Sequence, residues 1–157
     1  MEISDLLAPN SVIAVMKAHG KKQLLQELST RAAPLAQMPD RRIFEILNER
    51  EKLGTTGVGQ GIAIPHGRLG GLDKIIGVFA RLENAIDFDA VDNQPVDLVF
   101  LLLAPEDAGA DHLKALARVS RLLRNQAICE KLRAAKKPEA IYAILTQPTT
   151  GTSSQAA

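Results

Sequence analysis

Two histidines and an arginine carry the chemistry this sequence offers. His66 stands between Pro65 and Gly67, just past a short apolar strand, Ile62-Ala63-Ile64, with Gly61 ahead of it. A lone histidine in a turn is most often solvated. Restricted backbone on both sides of one imidazole is also how a reactive group is held. His112 occupies a matching place. It follows the apolar run ending at Ala104 through Pro105-Glu106-Asp107-Ala108-Gly109-Ala110, and it opens a helix capped by Asp111. If the two strands lie side by side and parallel, both histidines meet at one sheet edge, where sites in open α/β sheets gather. The third member is Arg50, at i+7 from Ile43 and i+4 from Ile46 on an apolar helical stripe, so it is aimed at the protein rather than at solvent.

These residue types suit phosphoryl transfer, a reaction that is mostly positioning and charge stabilisation. A helix N-terminus attracts anions and disfavours a charged imidazole, so His112 should stay neutral. A neutral imidazole donates a hydrogen bond from one nitrogen and keeps a lone pair on the other. His66 would be the nucleophile, His112 would orient it or hydrogen-bond the phosphoryl oxygens, and Arg50 would balance charge. Zinc held by His66, His112 and Asp111 is the competing reading, but no H-x-x-x-H, H-E-x-x-H or paired-cysteine spacing supports it. A serine hydrolase lacks its G-x-S-x-G. No cofactor motif is present. Gly54-Thr55-Thr56-Gly57-Val58-Gly59-Gln60-Gly61 has neither the spacing of a dinucleotide fingerprint nor the Gly-Lys-Ser/Thr of a P-loop. On spacing alone it reads equally as a flexible turn without a ligand, or as backbone that lets something bulky or charged approach. His19, beside Gly20 and two lysines, reads as solvated. Cys129, between Ile128 and Leu132 on a helix, reads as packing.

The elements that must position these groups follow from periodicity. A helix is predicted over residues 21–36, with Leu25, Leu28, Ala32 and Leu35 on one face and Pro34 disturbing its last turn. A second helix spans about 40–53, with Asp40 as N-cap and Gly54 as stop. Residues 74–82 are β-like. Residues 95–104 form a near-continuous apolar run, the pattern of a central strand covered on both faces. Helices follow at roughly 111–124, 127–134 and 138–146; in the first, Leu113, Leu116, Ser120 and Leu123 share a face. From Pro148 the tail offers nothing to bury and reads as disordered. The expected fold is α/β, a three-layer sandwich with a mixed β-sheet flanked by helices on both sides, in one domain over residues 1–147.

Bulk properties narrow the function. The 157 residues carry a formal net charge of +1, with four Phe, one Tyr and no Trp. Nucleic-acid binding would call for a basic surface and stacking aromatics. One cysteine cannot form an internal disulfide, which suits a reducing compartment. The first residues lack the basic start of a signal peptide, and the longest apolar run is about half a bilayer span. The reading is a cytoplasmic protein without membrane insertion.

Residues 50–68, Arg50-Glu51-Lys52-Leu53-Gly54-Thr55-Thr56-Gly57-Val58-Gly59-Gln60-Gly61-Ile62-Ala63-Ile64-Pro65-His66-Gly67-Arg68, look like the phosphorylation-site signature of mannitol/fructose-type enzyme IIA domains of the bacterial phosphoenolpyruvate-dependent phosphotransferase system. The stretch from Leu101 to Pro105 and on through His112 to Ala117 also looks like the family's. The nitrogen-regulatory (IIA-Ntr) branch is the best match, and the resemblance covers about residues 1–147. It implies that His66 accepts a phosphoryl group from a phosphorylated HPr-type (NPr-like) carrier, with His112 beside it and Arg50 approaching the phosphoryl group. Lys52, Thr55, Thr56 and Arg68 also fit the pattern, and Thr55, Thr56, Gly61 and Gly67 would support the phosphoryl site. Two outputs follow from the resemblance. In the nitrogen-type branch the phosphorylation state regulates targets such as potassium transporters or sensor kinases. In a sugar-specific enzyme IIA the phosphoryl group passes to a IIB domain during uptake.

Overall fold

The computed structural model describes residues 1–147, so the expected tail at 148–157 lies outside the described residues. The elements run α1 (Ile3–Leu6), a 3-10 turn (Pro9–Ser11), β1 (Val12–Met16), α2 (Lys21–Ala36), α3 (Asp40–Lys52), β2 (Gly57–Gly59), β3 (Ile62–Ala63), β4 (His66–Leu69), β5 (Ile76–Ile86), β6 (Val96–Pro105), α4 (Ala110–Leu123), α5 (Gln126–Ala134) and α6 (Pro138–Leu145).

The six strands make one mixed sheet in the order β1-β5-β6-β3-β2, with β4 also paired to β6. β1 runs parallel to β5, β5 antiparallel to β6, and both β3 and β4 parallel to β6. The apolar run read as a central strand is β6, buried along its length except at Asp97. An unbroken apolar strand needs cover on both faces. Leu24, Leu28, Ile43 and Leu47 of α2 and α3 pack one face with Val99, Leu101 and Leu103. Ala115, Val119, Leu132 and Ile141 of α4 to α6 pack the other with Leu98, Phe100 and Leu102. Helix, sheet and helix are the three layers expected.

β3 and β4 are one strand direction broken by a proline. Pro65 has no N–H to give to a ladder. The run therefore stops after Ala63 and resumes at His66, with Leu102 N–H donating to Pro65 O across the break at 3.0 Å. The condition set by the sequence is met: the strand leading to His66 and the strand leading toward His112 are parallel neighbours. His66 itself departs from expectation. It opens β4, opposite Leu102, instead of lying in a turn beyond a strand's end. β4, with sequence His-Gly-Arg-Leu, has almost no strand composition; pairing with β6 makes it a strand.

Several boundaries also differ. Pro39, not Asp40, is the N-cap of α3; Asp40 is its first residue, and its carboxylate accepts from Thr30 Oγ1 at 3.2 Å. Gly109, with φ at +58°, precedes α4, and Asp111 lies inside the first turn without capping it. The buried face of α4 is His112, Ala115, Val119 and Leu123; it shares Leu123 with the face predicted and is otherwise one position round from it, and Leu113 is 66% exposed. α2 runs through Pro34 and ends on Gln37 in the left-handed conformation. α1, β1 and β2 had no strong periodic signal, and β5 extends to Ile86 beyond the predicted 82.

Candidate functional site

Three elements bring the site together: β4 carries His66, α3 carries Arg50, and the first turn of α4 carries His112. The two imidazoles meet edge to face, with ring centroids 5.6 Å apart and planes at 71°. Arg50 Nε donates to His66 Nε2 at 3.3 Å, and its Nη1 donates to Gly54 O at 2.9 Å. Arg50 thus lies half-buried at the end of α3 with its guanidinium on the site, and the fully buried stripe runs one residue further, to Glu51, at i+4 from Leu47 and i+8 from Ile43.

The tautomer of His66 is set by the break at Pro65. His66 Nδ1 lies 2.8 Å from Ile64 O. A carbonyl only accepts, so Nδ1 carries the proton and Nε2 keeps the lone pair that meets Arg50. Burial pushes the His66 pKa below its ordinary value and the Arg50 cation lowers it further, against an upward pull from the Ile64 carbonyl and the Glu51 carboxylate. The net effect favours the neutral ring, whose unprotonated nitrogen lies next to a guanidinium.

His112 has the opposite arrangement. Arg68 Nε donates to His112 Nδ1 at 3.1 Å, so His112 carries its proton on Nε2. That Nε2 is the one fully buried side-chain nitrogen or oxygen without a hydrogen-bond partner among the described residues. Burial first, then His66 and Arg68, push the His112 pKa down. A buried unsatisfied donor costs about 1–3 kcal/mol, and such atoms in native proteins usually await a ligand or a water.

The glycine-rich segment is a frame for this pair. Glu51, buried, accepts from the backbone N–H of Thr56 at 3.1 and 3.2 Å, is hydrogen-bonded to Thr56 Oγ1, and pairs with Lys21 Nζ at 2.8 Å. Thr55 Oγ1 accepts from Gly57 N–H at 3.0 Å and donates to Phe88 O at 3.3 Å. The hydroxyls thus go to the frame, that of Thr56 to Glu51 of α3 and that of Thr55 to the turn after α3 and the loop after β5, and Lys52 is exposed and pairs with Glu49. Gly67 is a close-approach glycine: a Cβ there would lie 2.5 Å from Ile46 Cγ2, so only glycine lets α3 pack onto β4 and bring Arg50 to His66. Gly61 serves another place. With φ at +83°, it faces Arg133 and Asp97, which pair at 2.9 and 3.0 Å. Sequence reasoning missed Glu51, although the Ile43–Leu47 stripe extended by one more turn points to it. It also gave Arg68 no specific task; an arginine two residues beyond a strand histidine carries no signal until the parallel pairing with β6 is known.

His19 is exposed and Cys129 is buried with Sγ toward Leu123 O, as their neighbours in sequence implied. Among the described residues no three His, Cys, Asp or Glu side chains are grouped to hold a metal ion, and no helix is long and apolar enough to cross a membrane.

Residues 5–147 match the family described as phosphoenolpyruvate-dependent sugar phosphotransferase system, EIIA 2. The chain is 60% identical over 148 residues to a nitrogen regulatory protein of Bradyrhizobium diazoefficiens, covering 94% of this chain and 97% of that one. It is 42% identical over 157 residues to a nitrogen regulatory protein of Escherichia coli, covering 99% and 96%. Among solved structures it is similar to the nitrogen regulatory protein IIA-Ntr from Neisseria meningitidis, with a TM-score of 0.87, 38% identity, and coverage of 92% of this chain and 99% of that one.

Proposed function

From the premise that the chain belongs to the phosphoenolpyruvate-dependent sugar phosphotransferase system EIIA 2 family, we propose that it is a cytoplasmic phosphohistidine carrier in which His66 Nε2 accepts a phosphoryl group from a phosphorylated HPr-type (NPr-like) protein. The observation that carries this reading is the hydrogen bond from His66 Nδ1 to Ile64 O, which leaves Nε2 as a fixed lone pair. In the transfer, the nitrogen–phosphorus bond of the donor breaks as the Nε2–phosphorus bond forms. The electron pair of the broken bond stays on the donor's nitrogen, and the His66 proton stays on Nδ1, hydrogen-bonded to Ile64 O. Arg50 and the free Nε2–H of His112 hydrogen-bond the phosphoryl oxygens, where transition-state charge spreads. The domain that does this spans residues 1–147.

The output of the phosphate on His66 is regulatory: its presence or absence decides which other proteins the carrier engages, potassium transporters or sensor kinases being the kinds of target implied by the branch. Relatives named nitrogen regulatory protein over nearly their whole length support this reading over transfer to a sugar through a IIB domain.

The test is incubation with phosphoenolpyruvate, enzyme I and an HPr-type carrier. Acid-labile label is expected on wild type and none on His66→Ala; undiminished label on that variant would overturn the assignment. Formation of a sugar phosphate on adding matching IIB and IIC proteins would overturn the regulatory output.

A further inference from the structure

Arg68 is exposed on β4, yet its guanidinium makes three hydrogen bonds. Nε donates to His112 Nδ1 at 3.1 Å, Nη1 to Glu106 O at 3.3 Å, and Nη2 to Gly109 O at 3.5 Å. The parallel register puts Arg68 opposite Ala104, so the side chain reaches the loop that leaves β6 and enters α4. An arginine here has a consequence that a neutral partner would lack. The guanidinium has only donors and never loses its proton. It therefore dictates which His112 nitrogen is the acceptor, and its charge opposes protonation of that nitrogen.

We propose that Arg68 is a positioning residue that acts through His112: it makes Nδ1 an obligatory acceptor and so keeps the imidazole neutral, unflipped and protonated on Nε2, as a fixed donor beside His66. The unpartnered buried Nε2 is the result of that arrangement. The two carbonyl contacts are the second half of the device. By tying Glu106 O and Gly109 O to the same guanidinium, Arg68 sets the head of α4, and hence the His112 ring, relative to β4 and the His66 ring. Without Arg68, Nδ1 loses its donor and the ring is free to rotate by half a turn or to take a second proton. The task assigned to the Nε2–H rests on the phosphocarrier reading; the control of the imidazole by Arg68 does not.

The experiment uses the full chain as wild type, Arg68→Ala, Arg68→Lys and His112→Ala, and the double variant Arg68→Ala/His112→Ala. Imidazole 15N shifts of the unphosphorylated proteins report the His112 tautomer and charge. Single-turnover transfer from a phosphorylated HPr-type carrier reports function. In wild type His112 should show an acceptor-type Nδ1 and a protonated Nε2. In Arg68→Ala it should show a mixture of tautomers or the imidazolium, and transfer should slow about fivefold, less than the 10²–10³ for losing a transition-state donor outright. Arg68→Lys, which supplies a cationic donor without the fork, should restore most of the Nε2–H signature and part of the rate. In the His112→Ala background, Arg68→Ala should have no further effect. An unchanged His112 tautomer in Arg68→Ala, or an equal slowing in the background lacking His112, would overturn the proposal. If wild type takes no phosphoryl group, the carrier reading falls, while the 15N result still decides whether Arg68 governs the His112 imidazole.

Discussion

The two histidines of the site are the same side chain held by opposite devices. His66 is fixed from behind by a backbone carbonyl, which claims its proton and leaves a lone pair facing Arg50. His112 is fixed by a side-chain cation, which claims its lone pair and leaves a proton with no partner. One ring is thereby an acceptor toward the site and the other a donor, and 5.6 Å separates their centroids. The contrast teaches where each function can be altered. The carbonyl of Ile64 belongs to the strand break at Pro65 and survives any side-chain substitution short of refolding β3 and β4. The setting of His112 depends on one exposed arginine and can be changed by a single substitution. The ring proposed as nucleophile is anchored in the sheet, and the ring proposed to assist it is adjustable.

Arg50→Ala should produce the largest change short of removing His66. It takes the guanidinium from beside Nε2, and loss of one preorganised charge stabiliser costs about 10²–10³ in rate. Quenched-flow measurement of transfer should show this drop with the fold intact, and Arg50→Lys should recover only part of it, because a point charge cannot hold both Nε2 and Gly54 O as the fork does. A drop under threefold would mean that the acceptor side of the pair works without its cation.

His112→Ala comes next. Removing the donor ring should slow transfer about a hundredfold, the lower end for losing one transition-state donor, and His112→Gln, whose amide N–H₂ can stand in for Nε2–H, should be faster than alanine. If glutamine and alanine behave alike, the proton on Nε2 is not what His112 contributes, and the donor half of the comparison fails.

How much of this was legible follows the same division. His66, His112 and Arg50 could be picked out because each sits at an element's end or on a periodic stripe, and because β6 is apolar enough to announce itself as the covered central strand. What hid was everything depending on pairing between distant segments. β4 became a strand only by lying against β6. The face of α4 was read one residue round because Leu113 is more hydrophobic than His112, yet the histidine is the buried one and the leucine is exposed. Here tertiary contact overrode side-chain hydrophobicity. The tasks of Arg68 and Glu51 stay hidden in the sequence for a related reason: polar residues normally face solvent, and only the fold shows that their partners are a ring nitrogen and a turn.

Gly67, at the site, and Gly61, away from it, separate reaction from frame. Gly67→Ala would force a Cβ to within 2.5 Å of Ile46 Cγ2 and push α3 off β4. Overpacking of this kind costs about 1–3 kcal/mol, and transfer should slow as well, since Arg50 moves with α3. Adding Ile46→Ala should recover part of both losses. Gly61→Ala should lower the thermal midpoint through its positive φ and its contact with Arg133 and Asp97, but leave transfer per folded molecule unchanged. Equal effects of the two glycines on transfer would show that Arg50 does not depend on the close approach at Gly67.

The most gradual effect is that of pH. Both histidines are held neutral, with pKa values lowered by burial first and then by nearby groups, including Arg50 for His66 and Arg68 for His112. The unfolded chain therefore takes up protons before the native one does. By linkage, the stability this contributes is complete above the ordinary histidine value of about 6.5, is lost as pH falls from there through the lowered native values, and levels off below them. Denaturant midpoints measured across that window should decline on acidification in wild type and decline less in a His66→Gln/His112→Gln variant. Transfer should follow the native values instead: His66 keeps its lone pair below the ordinary histidine range, so the acid limb of the rate profile should lie on the acid side of it. In Arg50→Ala one depressing charge is gone and that limb should move toward higher pH, whereas in Arg68→Ala the direct change falls on His112. An equal displacement of the His66 titration in both variants would mean that the two rings share one electrostatic control, and that the division between a cation serving the acceptor and a cation serving the donor does not hold.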